Sequence, residues 1–384
     1  MTKKLYWNKP YEIEFEARVT SIIENNKIVL DQTLFYPEGG GQLSDKGKLE
    51  KDDIAFTVLN VTKENDDIIH HISQDVSDKL KVGDTISGKI DWEYRYGIMK
   101  AHSAQHLFSA ILKNNYNIDT AHANITFEEV SLQLVDKIFD DHVFKIFNEL
   151  NEICTQSNLK FDTYIASKKS KENLKDLRGK IPDSGDIRIV SVKNYDKICC
   201  GGTHVENSVE IGPVFLYDYK KGTDFKFKVG KSALDLITRI NIGLLEYSGN
   251  VNISISKVPD YIRKQLNLVE KLNQDTLDLS KKLLETIAEH PSATRDDLSI
   301  GYLELDLDMK ELFKNFKKFP KQYLLIIKRP ELKLLVLSNS AKANANVILQ
   351  DLLKKYGGKG GGNPRSAQGT LESEPDDILN DIEL

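Results

Sequence analysis

The sequence is poor in cysteine and contains no long apolar run. Three cysteines in 384 residues cannot form a disulfide framework. The longest apolar stretches, such as residues 323–327, have the length of a strand, whereas a membrane span needs about 20 residues. The first ten residues contain no apolar signal core. We therefore expect no export and a reducing, cytoplasmic location.

An excess of positive charge is also missing. The 53 Lys and Arg residues are outnumbered by 58 Asp and Glu residues, for a net charge of -5, which excludes a strongly basic nucleic-acid binder but allows a local basic surface. No Gly-x-Ser-x-Gly elbow of a serine hydrolase and no Asp-His-His motif of a phosphoesterase occurs. What remains is an ordinary globular composition, with 40% hydrophobic and 29% charged residues.

The apolar pattern predicts an α+β protein of four segments. Residues 1–92 alternate between apolar and polar side chains, as at Ile54, Phe56 and Val58, which indicates a small β-barrel. Residues 93–250 mix strand patterns with helical ones, including a buried helix over 99–112.

The second half of the sequence begins with a long helical pattern. Residues 251–295 are predicted to be a helical linker, whose apolar residues over 258–290 recur every seven positions. This pattern fits an exposed connecting helix that packs on its own chain. It equally fits a short coiled coil, within a hairpin or between subunits. Residues 296–384 are predicted to form a compact α/β domain that contains a glycine-rich loop.

Two pairs of metal-binding residues share one spacing. His102 and His106 lie four residues apart in the predicted helix, so both imidazoles face the same side. Cys200 and His204 have the same spacing, with two glycines between them that indicate a tight turn. Three imidazoles and one thiolate suit Zn²⁺. The four ligands alone do not separate a catalytic zinc from a structural one, because closed four-ligand sites are usually structural.

Two glycine-rich segments could approach a ligand closely. At Gly39–Gln42 the backbone is open, and Thr33 and Gln42 could supply hydrogen bonds; a tight β-turn explains the same residues. At 357–369, six glycines close to Lys359 and Arg365 suit contact with phosphate, although a flexible loop is the alternative.

These motifs, taken in order, resemble the editing and C-terminal regions of alanyl-tRNA synthetase over nearly the whole chain. They are the segment 33–42 (Thr-Leu-Phe-Tyr-Pro-Glu-Gly-Gly-Gly-Gln), His102-x-x-x-His106, Cys200-Gly-Gly-Thr-His204 and the glycine-rich C-terminal segment. Because no aminoacylation region precedes them, the chain is most similar to the free-standing alanyl-tRNA editing proteins of the long AlaX type. The resemblance implies a zinc-dependent deacylase that acts in trans on tRNA(Ala) mischarged with serine or glycine.

The resemblance also implies roles for individual residues. The metal ligands would be the two pairs above, and Thr33 and Gln42 would be catalytic residues of the editing pocket. Substrate binding would fall to Gly40 and Gly41, and to Ser103 and Gln105, which depart from the family pattern and could alter the pocket.

The implied partner, tRNA, requires a basic surface. Lys359 and Arg365 in the C-terminal domain are assigned to tRNA binding. Two lysine clusters could add phosphate contacts or be only solvated faces: Lys168, Lys169 and Lys171, and Lys220, Lys221, Lys226, Lys228 and Lys231. We expect a homodimer through the helical linker or the C-terminal domain. Two rival functions stay open, a zinc hydrolase of a small acyl ester and a non-catalytic tRNA-binding module with structural zinc.

Overall fold

The computed structural model describes residues 1–166, 177–179, 181 and 187–382. Contacts group the chain into two compact units, Met1–Tyr247 and Ser248–Leu384. The finer division into four segments stays a prediction. The first lysine cluster (Lys168, Lys169 and Lys171) lies outside the described residues. Across the described ranges, none of the helices combines the length and the apolar character that crossing a membrane requires.

The first unit begins with the predicted β-barrel. Its strands are β1 (Lys3–Lys4), β2 (Glu14–Ile23), β3 (Lys27–Leu30), β4 (Gln32–Thr33), β5 (Gly47–Lys51), β6 (Ile54–Glu64), β7 (Asp67–Ile72) and β8 (Thr85–Ile90). Six of them close an antiparallel barrel in the order β2-β3-β7-β6-β5-β8. The alternating residues point as expected, because Phe56 and Val58 are buried and Thr57 between them is exposed.

The rest of the first unit packs helices on two small antiparallel sheets. Its elements are α1 (Trp92–Tyr116), β9 (Thr120–Thr126), β10 (Glu129–Leu134), α2 (Asp140–Thr155), β11 (Phe161–Ala166), β12 (Ile187–Val192), β13 (Asp196–Cys199), β14 (Val214–Lys220), β15 (Asp224–Val229) and α3 (Gly230–Asn250). The sheets have the orders β14-β15-β10-β9 and β11-β12-β13. Helix α1 is central, since Phe108 lies with its ring centroid 5.4 Å from those of Phe225 and Phe227.

A buried ion pair attaches α1 to the barrel. Arg95 of α1 and Asp45 of the barrel are both fully buried, and the Nε–H of Arg95 donates to Oδ1 of Asp45 over 2.7 Å. The guanidinium also donates to the carbonyl of Leu34 at 2.6 Å and to that of Pro10 at 3.1 Å. Because these partners satisfy both buried charges, the pair fixes the position of α1 against the barrel.

The second unit contains the predicted long helix and a six-stranded sheet. Its elements are α4 (Val258–Glu289), β16 (Ala293–Arg295), β17 (Leu298–Glu304), α5 (Met309–Phe316), β18 (Tyr323–Arg329), β19 (Lys333–Ser338), α6 (Ala345–Tyr356), β20 (Gly358–Asn363) and β21 (Ser366–Leu371). The sheet order is β16-β17-β18-β19-β21-β20. The α+β class is therefore confirmed.

The prediction of a glycine-rich loop at 357–369 is wrong. This segment forms the antiparallel hairpin β20–β21, in which Gly360 pairs with Gly369. A Cβ atom on Gly360 would lie only 2.4 Å from Cα of Gly369, so the two strands need glycine where they face each other. The sequence pattern missed the hairpin because glycine is generally rare in strands.

Candidate metal centre

The four predicted ligands meet at one point in the first unit. His102 and His106 lie one turn apart on the buried face of α1, and Cys200 directly follows strand β13. His204 comes at the end of the short loop after Cys200. Each side chain offers one donor atom, and the four donor atoms all lie within 4.8 Å of one another.

The distances between the donor atoms fit a tetrahedral metal ion. Sγ of Cys200 lies 3.5 Å from Nε2 of His102 and 3.4 Å from Nε2 of His204. Two ligands at about 2.0–2.3 Å from a tetrahedral Zn²⁺ are separated by roughly 3.5 Å. These two separations therefore match the value for one ion, and the remaining donor atoms lie within 4.8 Å.

Burial gives the imidazoles the protonation state that metal binding needs. Desolvation, helped by the positive charge of Arg188, lowers the pKa of His102 to about 3. Burial also lowers the pKa of His106 and of His204 well below the usual value. All three rings are neutral near pH 7 and can donate a lone pair. Burial raises the pKa of the Cys200 thiol to about 11, so a metal ion must displace its proton.

Gln42 orients His102 through the ring nitrogen that faces away from Cys200. Its Oε1 lies 2.7 Å from Nδ1 of His102 and also accepts from the backbone N–H of Thr203 at 3.1 Å. Because a carbonyl oxygen only accepts, Nδ1 of His102 carries the hydrogen and Nε2 presents its lone pair towards Cys200. Gln42, predicted to be catalytic, is thus placed where it supports a ligand.

The other two histidines have different supports. Ser103, which is fully buried, lies with its hydroxyl 3.3 Å from Nδ1 of His204 and accepts from the backbone N–H of Val205 at 3.1 Å. Nδ1 of His106 is buried and makes no hydrogen bond within the described residues. The nearest acid is Asp196, whose Oδ2 is 3.8 Å from this nitrogen. An unsatisfied buried nitrogen on one of the four clustered side chains fits a metal-binding role for that group.

The loop between Cys200 and His204 is shaped by glycine and by a buried arginine. A Cβ atom on Gly202 would lie 2.3 Å from Cε1 of His102, so no larger residue fits there. Nη1 of Arg188 donates to the carbonyls of Cys200 at 3.0 Å and of Gly202 at 2.8 Å. The sequence analysis assigned no role to Arg188, since only the folded loop brings these carbonyls together.

A cleft of about 790 Å³ opens beside the four ligands. Of the residues predicted to bind substrate, Gly40, Gly41 and Gln105 line it. Gly40 and Gly41, with φ of +60° and +83°, form the centre of a tight hairpin turn, as the alternative interpretation of this segment predicted. A Cβ atom on Gly41 would lie 2.3 Å from the carbonyl oxygen of Ala123, so the turn packs closely on β9.

Three predicted site residues of the first unit, Thr33, Gln42 and Ser103, are not part of the cleft wall. Thr33 is fully buried in strand β4, where its hydroxyl is 2.9 Å from Nε2 of His70. No local sequence signal pairs His70 with Thr33, although the period-two pattern of β7 places His70 on the same face as Ile68. Lys359 and Arg365 belong to the second unit, where both are exposed on the β20–β21 hairpin and its turn.

Two family models and several curated relatives match this chain. A family model described as "tRNA synthetases class II (A)" matches residues 7–94, and one described as "Threonyl and Alanyl tRNA synthetase second additional domain" matches residues 187–240. The chain is 27% identical to the alanyl-tRNA editing protein AlaX-L of Pyrococcus horikoshii, covering 99% of this chain and 97% of the relative.

Two further relatives align with only part of this chain or with only part of their own length. The chain is 28% identical to the alanine–tRNA ligase of Methanobrevibacter smithii, over 96% of this chain but only 44% of the ligase. It is 36% identical to the alanyl-tRNA editing protein AlaX-M of Methanosarcina barkeri, over 55% of this chain and 90% of that relative. This last match spans nearly all of an editing protein. The chain therefore belongs to the AlaX family of alanyl-tRNA editing proteins.

Proposed function

We propose that the protein is a deacylase that hydrolyses tRNA(Ala) mischarged with serine or glycine. The observation that carries this proposal is the cluster of His102, His106, Cys200 and His204 beside a cleft of about 790 Å³. Its relatives are named alanyl-tRNA editing proteins, which supports an alanyl-tRNA substrate. In the reaction, the oxygen of water bonds to the carbonyl carbon of the ester and the terminal ribose leaves as an alcohol.

The donor set supports Zn²⁺ as the resident ion. Nitrogen and thiolate donors in a compact tetrahedral arrangement are the usual zinc ligands. When bound, the ion would supply Lewis acidity towards a carbonyl or towards water. The protein's own residues hold this set rigid: Gln42 fixes the tautomer of His102, and Ser103 contacts His204.

A second candidate is a non-catalytic tRNA-binding module with structural zinc. The observation that favours it is that four protein donors complete a tetrahedral shell and leave no open position. The cleft favours the deacylase instead, because a purely structural site needs no adjoining cavity.

One experiment separates the two candidates. Release of labelled serine from Ser-tRNA(Ala) is measured against release of alanine from Ala-tRNA(Ala), with and without a chelator. The deacylase should release serine much faster than alanine, and the chelator should abolish release. A structural zinc module would bind both tRNAs and release neither amino acid at any metal load.

Neighbouring cysteines offer a matched pair for the metal assignment. Cys200→Ala should lose bound zinc, whereas Cys199→Ala should keep it, because Cys199 is not among the four clustered donors. Equal zinc contents in both variants would remove Cys200 from the ligand set.

We further propose that the second unit adds contacts to tRNA. Lys359 and Arg365 are both exposed on the hairpin, which supports phosphate binding. In contrast, Lys228 pairs with Glu129 at 2.5 Å and Lys231 with Asp235 at 2.5 Å, so part of the second lysine cluster is already neutralised. Replacing Lys359 and Arg365 by alanine should weaken tRNA binding and flatten its dependence on salt; an unchanged salt dependence would contradict these contacts.

The homodimer also stays a proposal, supported by exposed apolar side chains along α4. Leu266 and Leu279 are 64% and 66% exposed, and Val269 and Leu272 are more than half exposed. Sedimentation at increasing protein concentration should show a dimer; a monomer throughout would exclude it.

A further inference from the structure

Trp7 lies on the wall of the cleft, at the end of the short 3-10 turn Leu5–Trp7 that precedes the barrel. We propose that its indole ring is a platform on which the 3′-terminal base of the RNA substrate stacks. This inference rests on the proposed function, since it assigns a residue to the nucleotide that carries the ester. Trp7 itself carries no part of the metal centre.

The indole is fixed beside the metal-binding loop. Its Nε1–H donates to the carbonyl of Gly201 over 3.0 Å, and Gly201 directly follows the ligand Cys200. The ester to be cleaved is on the terminal ribose, so the base of the same nucleotide must lie within one sugar of the reacting carbonyl. A ring that is anchored one residue from a ligand is close enough to meet that base.

Trp7 has the largest partly exposed ring among the described residues of the cleft wall. The other large aromatic side chains there, Tyr6 and Tyr36, are only 2% and 6% exposed, and the exposed imidazole of His122 is a smaller ring. The hydroxyl of Tyr36 is also engaged, donating to the carbonyl of Gly39 at 2.8 Å. Trp7 is partly exposed, and a large flat ring in that position suits stacking on any base.

Lysines lie at the ring and along the same cleft. Nζ of Lys4 lies over one face of the Trp7 ring, 4.4 Å from its centroid, so the base would stack on the opposite face, and Lys63 is exposed on the same cleft wall. Lys113 also lines the cleft, paired with Asp119 at 2.7 Å. In a chain of net charge -5, cations next to an aromatic face are the combination that binds a single-stranded nucleic acid, with the ring for the base and the ammonium groups for phosphate.

A binding experiment tests the platform without any hydrolysis. The sequence contains two tryptophans, and Trp92 packs on Tyr96 with ring centroids 5.1 Å apart, outside the cleft wall. In a Trp92→Phe background, Trp7 is then the sole indole reporter. An RNA minihelix that carries no amino acid but has a single-stranded CCA end should quench the fluorescence of Trp7. The same minihelix without the CCA end should not. Equal quenching by both RNAs, or by neither, would overturn the proposal.

Kinetics of two variants test stacking against a merely structural role. Trp7→Ala should raise KM for serylated minihelix about 5- to 100-fold with kcat nearly unchanged, which corresponds to the loss of one stacked base. Trp7→Phe keeps a ring but loses the N–H that donates to Gly201, and should stay within a few-fold of the natural protein.

The outcomes distinguish base stacking from the hydrogen bond to Gly201 and from the deacylase activity. If Trp7→Phe is as impaired as Trp7→Ala, the hydrogen bond to Gly201 is what matters and the platform is overturned. An unchanged KM in Trp7→Ala overturns it as well. If the natural protein releases no serine while the CCA end still quenches Trp7, the platform is supported and the proposed deacylase activity fails.

Discussion

The hydroxyl of Thr33 donates a hydrogen bond to Nε2 of His70, 2.9 Å away inside the barrel. The direction follows from the other ring nitrogen: Nδ1 of His70 is 3.0 Å from the carbonyl of Ile28, so Nδ1 carries the hydrogen and Nε2 can only accept. The oxygen of Thr33 also accepts from the backbone N–H of Phe35 at 3.1 Å. Thr33 therefore retains one lone pair, although its side chain is fully buried and is not part of the cleft wall.

Replacing Thr33 by valine should affect both selectivity and stability. The variant lacks the hydroxyl that the family resemblance assigns to the editing pocket, and should narrow the ratio of the Ser-tRNA(Ala) to Ala-tRNA(Ala) deacylation rates. It also leaves Nε2 of His70 without its partner, which should lower the free energy of unfolding by about 1–3 kcal/mol. Thr33→Ser keeps the hydroxyl and is the control. An unchanged rate ratio in Thr33→Val would remove Thr33 from the account of selectivity.

His70 should make stability depend on pH. Burial lowers its pKa to about 4 in the folded protein, against about 6.5 when unfolded. The unfolded chain therefore binds the extra proton first, so this contribution is complete above pH 6.5 and is lost as the pH falls towards 4. The full effect is about 3 kcal/mol. Urea denaturation from pH 7 to pH 4 measures it. His70→Gln should lose this part of the slope, and a slope equal to that of the natural protein would contradict the assignment.

Gln42 should contribute to metal affinity without binding the metal. Gln42→Ala removes the acceptor that fixes Nδ1 of His102, and losses of this kind cost about 10- to 100-fold in affinity. A competition titration with a chromophoric chelator measures the zinc dissociation constant. Gln105→Ala is the matched control, because the Gln105 amide donates to Ser109 at 2.8 Å and, among the described residues, has no hydrogen bond to any of the four ligands. Equal affinities for the two variants would show that Gln42 does not orient His102.

Two adjacent glycines should respond differently to alanine. At Gly202 a new Cβ would lie 2.3 Å from Cε1 of His102, whereas at Gly201 the nearest atom is Nε1 of Trp7 at 4.0 Å. Gly202→Ala should therefore lose zinc and destabilise the fold by about 1–3 kcal/mol, as overpacking does. Gly201→Ala should keep its zinc. Metal analysis and thermal melting decide, and a zinc-loaded Gly202→Ala protein would refute the close packing.

The sequence was sufficient to predict that these four side chains would cluster, because two local spacings and the chemistry of imidazole and thiolate needed no tertiary information. It was not sufficient to predict the residues that contact the metal-binding loop, the ligands and Thr33. Arg188, Asp196 and His70 acquire their roles only when distant strands meet, and nothing in their immediate neighbours signals it.

The barrel was predictable for a similar reason, since alternation is a local signal. The hairpin at Gly358–Asn363 was not, because glycine carries almost no strand preference of its own. The close approach to Ser366–Leu371 decides the structure there.

The ion pair between Arg95 and Asp45 limits how this protein can be dissected. A fragment that ended before α1 would keep the carboxylate of Asp45 without its counter-charge. A fragment that began at α1 would leave the guanidinium of Arg95 without its carboxylate. Neither half should survive truncation as a well-folded piece. Experiments on the metal centre should therefore express the barrel together with the helix that carries His102 and His106.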